Sequence, residues 1–594
     1  MLSYKAPVED MRFVLTELLA DEDLDSLPGY AEFSDDLVEA ILDEAGKLCE
    51  SVLFPLNRSG DEEGCSYENG VVRTPKGFKE AYSEFAQGGW NGLISDPEYG
   101  GQNAPNTVAN AVQEMICSSN LSFGMYQGLT IGAYHAIHAH GTDELKRIFL
   151  PKLVDGSWSG TMCLTEPQCG TDLGLIRTRA VKNGDGGYNI TGTKIFISAG
   201  EHDLTDNIVH LVLARMPDAP EGIKGISMFL VPKFLANDQG ETGARNGVMC
   251  SGIEHKMGIK ASSTCVLNFD EATGYLVGQP SKGMRAMFTM MNAARLAVGI
   301  QGLGICESAY QGATSYARER LQGRALKGPQ HPDQPADPIL VHPDVRRMLL
   351  TMRAYTEGAR ALVAWVSAKL DVYKRHQDPQ TATDADDFVS LLTPVVKAML
   401  TDLGSDVANL GVQVLGGHGY IRENGMEQYV RDARICQIYE GTNGVQAMDL
   451  IGRKLPVHMG RYLKQFFHPV SRYIEDHADD EALAPFIGPL SKAFGRLQRA
   501  TGAVAQKGLK DPNQAGAVAS DYLRLFGLVA FAYLWARMAE IALQKIDGDN
   551  ARFYRAKVDT ARFFMDRLLP QSGAHFSSIM AGGDSTMAFE DEAF

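Results

Sequence analysis

The stretch "YNITGTKIFISAG", residues 188–200, decides how the chain is read. β-branched and aromatic residues alternate there with Gly and Asn, a texture that suits a strand and not a helix. Just before it, "NGDGG" (183–187) is a hairpin signal. Further out come similar runs, "IVHLVLARM", "ISMFLVPKF" and "TCVLNFDEATGYLVG", each closed by turn residues. Residues 158–284 are therefore expected to form a small β-domain, a barrel or a sandwich.

On both sides the texture is helical. "DDLVEAILDEAGKLCESVLFPLN" spaces its apolar residues three to four apart, with acids between them. "TPKGFKEAYSEFAQGGW" reads as a helix with Thr74 as N-cap and Pro75 just inside. "DELKRIFLPKLVDGSW" predicts a helix that Pro151 ends or kinks. Small and apolar residues over 287–320 predict a helix buried on more than one side. A Pro/Gly-rich loop follows, then long amphipathic helices near 344–376 and 387–415, and a mostly helical region beyond 455. The fold class is α+β, in four parts. These are an N-terminal helical domain (1–157), the middle β-domain (158–284), a C-terminal four-helix bundle (285–455) and an additional helical domain (456–594).

Composition bounds the function. A chain of 594 residues exceeds one ordinary core. No apolar stretch of ~18 residues runs uninterrupted, so no spanning helix is expected. The first residues lack the basic start and apolar core of an export signal. Nine scattered cysteines without a CxxC pair favour a reducing cytoplasm over a disulfide framework. A net charge of −17 argues against nucleic acid and anionic membranes as partners. Residues 456–594 carry equal numbers of acids and bases, so that part offers no basic face either.

Several motifs can carry chemistry. "CLTEPQCGTD" (163–172) offers hydroxyls and backbone donors to an anionic ligand, or is an ordinary polar loop. "QVLGGHGY" (413–420) allows close backbone approach to a ligand, though a helix C-cap explains it equally well. Arg295 and Arg320 are either helix-face arginines in local ion pairs or a clamp for phosphate. With no HExxH and no paired Cys/His spacing, a metal site is not expected. In "QIYEGTNGVQ" (437–446) the acid Glu440 follows an apolar run, a costly place for a carboxylate that is neither paired nor used.

With "PEYGG" (97–101), "GTKIFIS" (192–198) and "HKMGIKAS" (255–262), these motifs stand in an order and spacing that resemble the acyl-CoA dehydrogenase flavoproteins. The resemblance covers roughly residues 35–455. The added C-terminal region is similar to that of a longer subgroup. Some of its members oxidise 3-methylmercaptopropionyl-CoA in dimethylsulfoniopropionate demethylation, and others oxidise medium- or long-chain acyl-CoAs.

The resemblance implies FAD as cofactor, an acyl-CoA as substrate and electron-transferring flavoprotein as acceptor. It makes Glu440 the base that removes the α-proton; an apolar pocket raises a carboxylate toward the ~6–7 that suits such a base. Some members carry the base at the position of Ala294, which cannot serve here. Cys163, Leu164, Thr165, Thr171, Phe196, Ile197 and Ser198 match flavin-side residues, with Phe in place of a common Trp. Arg320, Gln322, Gln413, Gly416, Gly417 and Thr442 match contacts to the rest of FAD, partly from a neighbouring subunit, which implies a homodimer or a dimer of dimers. Asn292 and Arg295, with Thr171, match the substrate side.

The chain departs from the family pattern at "RLQGR" and the insertion after it, which leaves contacts from Gln322 and His342 in doubt. Gly444 replaces a longer polar residue. The alternatives are an acyl-CoA oxidase, a DNA-binding flavoprotein and a membrane-docking role for "YLRLFGLVAFAYLWARMAEIAL".

Overall fold

The computed structural model describes residues 2–184 and 186–594. The chain divides into two compact units, one of Glu44–Pro105 and Met115–Ala297, the other of Met1–Asp43, Asn106–Glu114 and Val298–Phe594. The fold class is α+β, with the strands in the first unit.

That unit opens its strands with a hairpin, β1 (Ser66–Glu68) and β2 (Val71–Arg73). Asn69 and Gly70 turn it with φ of 49° and 85°, the left-handed pair a two-residue hairpin needs. It lies inside a region the sequence reads as helix; the Asn-Gly pair was the available signal. The main sheet contains β3 (Trp158–Cys163), β4 (Arg179–Lys182), β5 (Tyr188–Ser198), β6 (Asn207–Arg215) and β7 (Ile226–Pro232). A separate pair is formed by β8 (Phe234–Ala236) and β9 (Thr242–Arg245). The main sheet ends with β10 (Val248–Ile253) and β11 (Thr264–Val277).

Pairing runs β11–β5–β4–β6–β7 and returns from β7 to β11, so the β-domain closes as a barrel. β3 lies parallel beside β6, and β10 flanks β11. β4 and β5 pair antiparallel on either side of the "NGDGG" turn, whose Asp185 lies outside the described residues.

The near-continuous apolar run of β6 follows from burial on both faces. Val209, Leu211 and Leu213 join a cluster with Ala133, Ile137 and Phe149 of the helices Leu121–His140 and Asp143–Val154. Val212 and Ala214 point the other way, toward Phe229, Ile190 and Cys265 inside the barrel.

Two expected helix signals resolve differently. Thr74 is not an N-cap: its N–H and hydroxyl both go to Asp203 Oδ1 (3.0 and 2.8 Å), and the helix Phe78–Gln87 starts after Gly77. Pro151 neither ends its helix nor needs to, because it sits in the last turn and the helix closes at Val154.

The other unit is built on long helices: the later part of Gly283–Glu319, then Pro343–Arg375 and Pro379–Leu415. The last begins at Pro379 rather than near 387 because the Asp378 side chain caps it, accepting from Thr381 N–H at 2.9 Å. Glycines set the spacing of the bundle. A Cβ at Gly302 would stand 2.4 Å from Leu400 O, and one at Gly299 2.6 Å from Val396 Cγ1.

The additional domain packs onto this bundle around Ala519–Lys545, whose Trp535 donates to Ala354 O at 3.1 Å. Ala519–Lys545 and Pro379–Leu415 are each long and apolar enough to cross a membrane. Their most apolar windows, however, are 89% and 78% buried within the protein, as core helices are. The first of them contains "YLRLFGLVAFAYLWARMAEIAL", which the sequence offers as a membrane-docking stretch. Below the bundle Arg360 binds Asp10, Glu114 and Glu307, and Lys557 binds Asp10 and Glu357, fastening both chain ends to it.

Candidate active site

The helix Met426–Cys436 runs into a turn in which Glu440 (φ 57°) and Gly441 (φ 84°) are both left-handed. For a glutamate this backbone costs about 1–2 kcal/mol. Only glycine suits the next position, where a Cβ would also meet Gln446 Nε2 at 2.7 Å. Thr442 then caps the helix Asn443–Asp449, its Oγ1 accepting from Val445 N–H at 3.3 Å.

Buried side chains hold the turn by its carbonyls. Gln446 Nε2 donates to Glu440 O (2.9 Å), and Lys397 Nζ donates to Gly441 O (2.8 Å) and to Asn443 Oδ1 (2.9 Å). Lys397 and Gln446 are both fully buried. The two carbonyls fix which end of the Gln446 amide faces them; its Oε1 meets no protein donor. Opening the turn would strand Gln446 Nε2 in the interior at about 1–3 kcal/mol, as much as the strain released or more, so the left-handed geometry persists. Tyr439 hydroxyl bonds Gln301 Oε1, fixing the residue before the acid. The acid itself is half-buried, and Ile438 ahead of it is 45% exposed, so the approach is a helix end and not a fully apolar wall.

Sequence reasoning missed Lys397, Gln446 and Asn443. Lys397 did carry a signal, a single ammonium inside the apolar run "LLTPVVKAML".

In the barrel unit, Cys163 ends β3 fully buried and Leu164 follows, nearly so. Beyond Thr165, Glu166 gathers five donors onto its carboxylate. They are Lys194 Nζ (2.8 Å), Thr178 N–H (3.0 Å) and hydroxyl (2.6 Å), Arg177 N–H (2.7 Å) and Gln168 Nε2 (2.6 Å). Burial alone would raise its pKa, but Lys194 and the other donors outweigh that and bring it to about 2. Lys194 also donates to Leu164 O (2.9 Å), and Ile195 N–H to Thr165 O (2.9 Å), which stitches the "LTEP" segment to the end of β5. There Phe196 (φ 58°) and Ala199 (φ 54°) are left-handed. Ile197 is buried, Ser198 half-buried and the Phe196 ring 59% exposed. Thr171 and Asn292 are exposed, whereas Arg295 is buried.

The remaining residues lie in the bundle unit. Arg320, Gln322, Gln413, Gly416, Gly417 and Thr442 are all exposed. Nothing stands within 4 Å of a Cβ built at Gly416 or Gly417, and Gly416 has φ 59°. The inserted loop folds on the fully buried Asp337, which accepts from the N–H groups of Ala325, Gln330 and His331. His342 Nε2 pairs with Gln322 O at 2.7 Å, so these two groups serve the loop itself. Among the described residues no cluster of His, Cys, Asp or Glu could hold a metal ion.

A flavin dinucleotide needs an accessible flat face, nearby donors and backbone that lets phosphate approach. In the barrel unit the exposed Phe196 ring on a locked strand end suits the flat face, and in the bundle unit the bare glycines 416–417 and the exposed Arg320 suit phosphate.

The acyl-CoA dehydrogenase N-terminal, middle and C-terminal domain models match residues 36–157, 161–272 and 281–455, and an acetyl-CoA dehydrogenase C-terminal-like model matches 466–590. The chain belongs to the acyl-CoA dehydrogenase family and is an oxidoreductase. It is 44% identical to 3-methylmercaptopropionyl-CoA dehydrogenase of Ruegeria pomeroyi, over 99% of each chain. A broad-specificity linear acyl-CoA dehydrogenase of Mycobacterium tuberculosis is 33% identical over the whole of both chains. The fold is also that of an acyl-CoA dehydrogenase of Bacillus anthracis solved with FAD, at a TM-score of 0.74, 22% identity and coverage of 96% and 91%.

Proposed function

We propose that this protein is an FAD-dependent acyl-CoA dehydrogenase that takes 3-methylmercaptopropionyl-CoA to methylthioacryloyl-CoA, with Glu440 as its base. The observation that carries the chemistry is the locked left-handed turn at Glu440, a strained and over-determined glutamate of the kind that marks functional sites. Glu440 takes the α-proton. The Glu440 N–H, fixed by the same turn, is the protein's donor to the thioester oxygen as it gains charge. FAD, when bound, would supply the acceptor for the β-hydride, so that two electrons and both hydrogens would leave the substrate as the enoyl thioester forms.

Cys163–Thr165, Thr171 and Phe196–Ser198 hold the flavin end, while Arg320, Gln413, Gly416, Gly417 and Thr442 hold the rest of FAD. Thr171, Asn292 and Arg295 meet the substrate. The exposure of the second group supports its use across a homodimer or a dimer of dimers. Electron-transferring flavoprotein is the acceptor, and the nine free thiols suit a reducing cytoplasm. The substrate assignment is supported by full-length identity to the Ruegeria pomeroyi enzyme.

The test is anaerobic flavin bleaching, followed by kcat/KM across linear C4 to C16 acyl-CoAs and 3-methylmercaptopropionyl-CoA. The thioether substrate should match or exceed the best linear chain. A linear substrate more than tenfold better would make the protein a fatty acyl-CoA dehydrogenase. Stoichiometric peroxide in air would make it an oxidase.

A further inference from the structure

We propose that Arg524, in the additional C-terminal domain, is a positioning residue for Glu440, acting through Asp402 and Asn443. This rests on Glu440 being the base. Arg524 leaves the helix Ala519–Lys545 and places Nη2 2.8 Å from Asp402 Oδ2 in the bundle. The other oxygen, Asp402 Oδ1, accepts from Asn443 Nδ2 and from Gln437 Nε2, each at 2.7 Å. Asn443 Oδ1 in turn accepts from Lys397 Nζ, which donates to Gly441 O. Gln437 and Asn443 bracket the turn and are joined by Asn443 N–H to Gln437 O at 3.1 Å. One carboxylate therefore grips both ends of the Glu440 turn with one oxygen, and the added domain fixes that carboxylate by the other.

Each link is directional. Arg524 neutralises Asp402 and fixes its plane, so Oδ1 stays aimed between two amides. Asn443 must present Nδ2 to Asp402 and Oδ1 to Lys397, and reversing the amide would oppose like dipoles at both contacts. Arg524 Nη1 also lies 3.7 Å from Met399 Sδ, and Met399 packs against Gly527, so the guanidinium is seated by both sides of the junction. The domain that lengthens this chain thus reaches the turn that carries Glu440 through side chains, without supplying a group that touches substrate.

The test uses the FAD-loaded full chain. Arg524→Met should lower kcat roughly 3- to 30-fold, with KM for 3-methylmercaptopropionyl-CoA and FAD content unchanged. The isotope effect from α-deuterated substrate should grow, while that from β-deuterated substrate does not. Hydrogen exchange at Gln437–Val445 should quicken at least ~10-fold in the variant, and Arg524→Lys should restore most of each property. In a Glu440→Gln background, Arg524→Met should cost nothing further.

An Arg524→Met enzyme with normal kcat, isotope effects and exchange overturns the proposal. So does a variant that loses FAD or stability without a change in the α-isotope effect. If Arg524→Met does not fold, Asp402→Asn, which keeps the shape, is read by the same measurements and the same criteria. A fully active Glu440→Gln would sink the base assignment and this proposal together, whereas an inactive Glu440→Gln beside an unaltered Arg524→Met sinks this proposal alone.

Discussion

Two glutamates, Glu166 and Glu440, each follow an apolar run and stand at the entrance to a Gly/Thr-containing turn, yet the fold grips the two turns through different groups. At Glu166 five donors converge on the carboxylate, and the side chain is consumed in tying "LTEP" to β5 and to Thr178. At Glu440 the buried donors converge on main-chain carbonyls, so the backbone is what the fold holds. Local sequence is nearly silent on this difference, because the buried ammonium at each turn, Lys194 at Glu166 and Lys397 at Gly441, comes from a distant element.

The strongest way to break the comparison is to remove both charges. Glu440→Gln should slow flavin bleaching by ~10²–10⁴-fold or more, with FAD content intact. Glu166→Gln should instead cost stability, roughly 3–5 kcal/mol, because it leaves the buried Lys194 ammonium without its anion. Urea titration and stopped-flow bleaching on the two variants would separate these effects. Equal kinetic losses at both sites would erase the distinction.

Acid sharpens it further. The Glu166 pKa lies at about 2 in the folded protein, against 4.5 ordinarily, so its contribution is fully present above 4.5. That contribution is lost as pH falls from 4.5 toward 2. Wild type should therefore lose about 3 kcal/mol of its advantage over Glu166→Gln across that window, measured as converging urea midpoints. Gly441→Ala sits next in size. The left-handed φ and the 2.7 Å approach to Gln446 should lower kcat by roughly 10-fold with a stability loss of about 1–2 kcal/mol. Phe196→Ala is the mildest change; losing one stacking face should weaken FAD binding by about 1 kcal/mol, near fivefold, in a fluorescence titration.

How much was legible varied with the range of the interaction. The barrel strands were readable because β6 carries a near-continuous β-branched apolar run and its partners carry β-branched and aromatic residues between turn signals, and the long helices because their apolar spacing is local. Thr74 looked like a cap since Ser/Thr before Pro often is one; Asp203, 129 residues away, offered its hydroxyl and N–H a better acceptor. The Asn69–Gly70 hairpin was visible in principle and was absorbed into a helical reading of its surroundings. Lys397 was visible only as an oddity, a charge in an apolar run, with no hint of the carbonyl it serves.

The sequence by itself determined the strand and amphipathic helix elements, which rest on residue order within short windows, and the family, which rests on the order and spacing of motifs over residues 35–455. Only the tertiary structure decided which acid is spent on structure, which carbonyls the buried Lys397 and Gln446 hold, and that the added domain reaches Asp402 through Arg524. Apart from the Gln446–Glu440 contact, six residues long, those are bonds between residues far apart in the chain. Their directions are fixed by packing, so no local pattern encodes them.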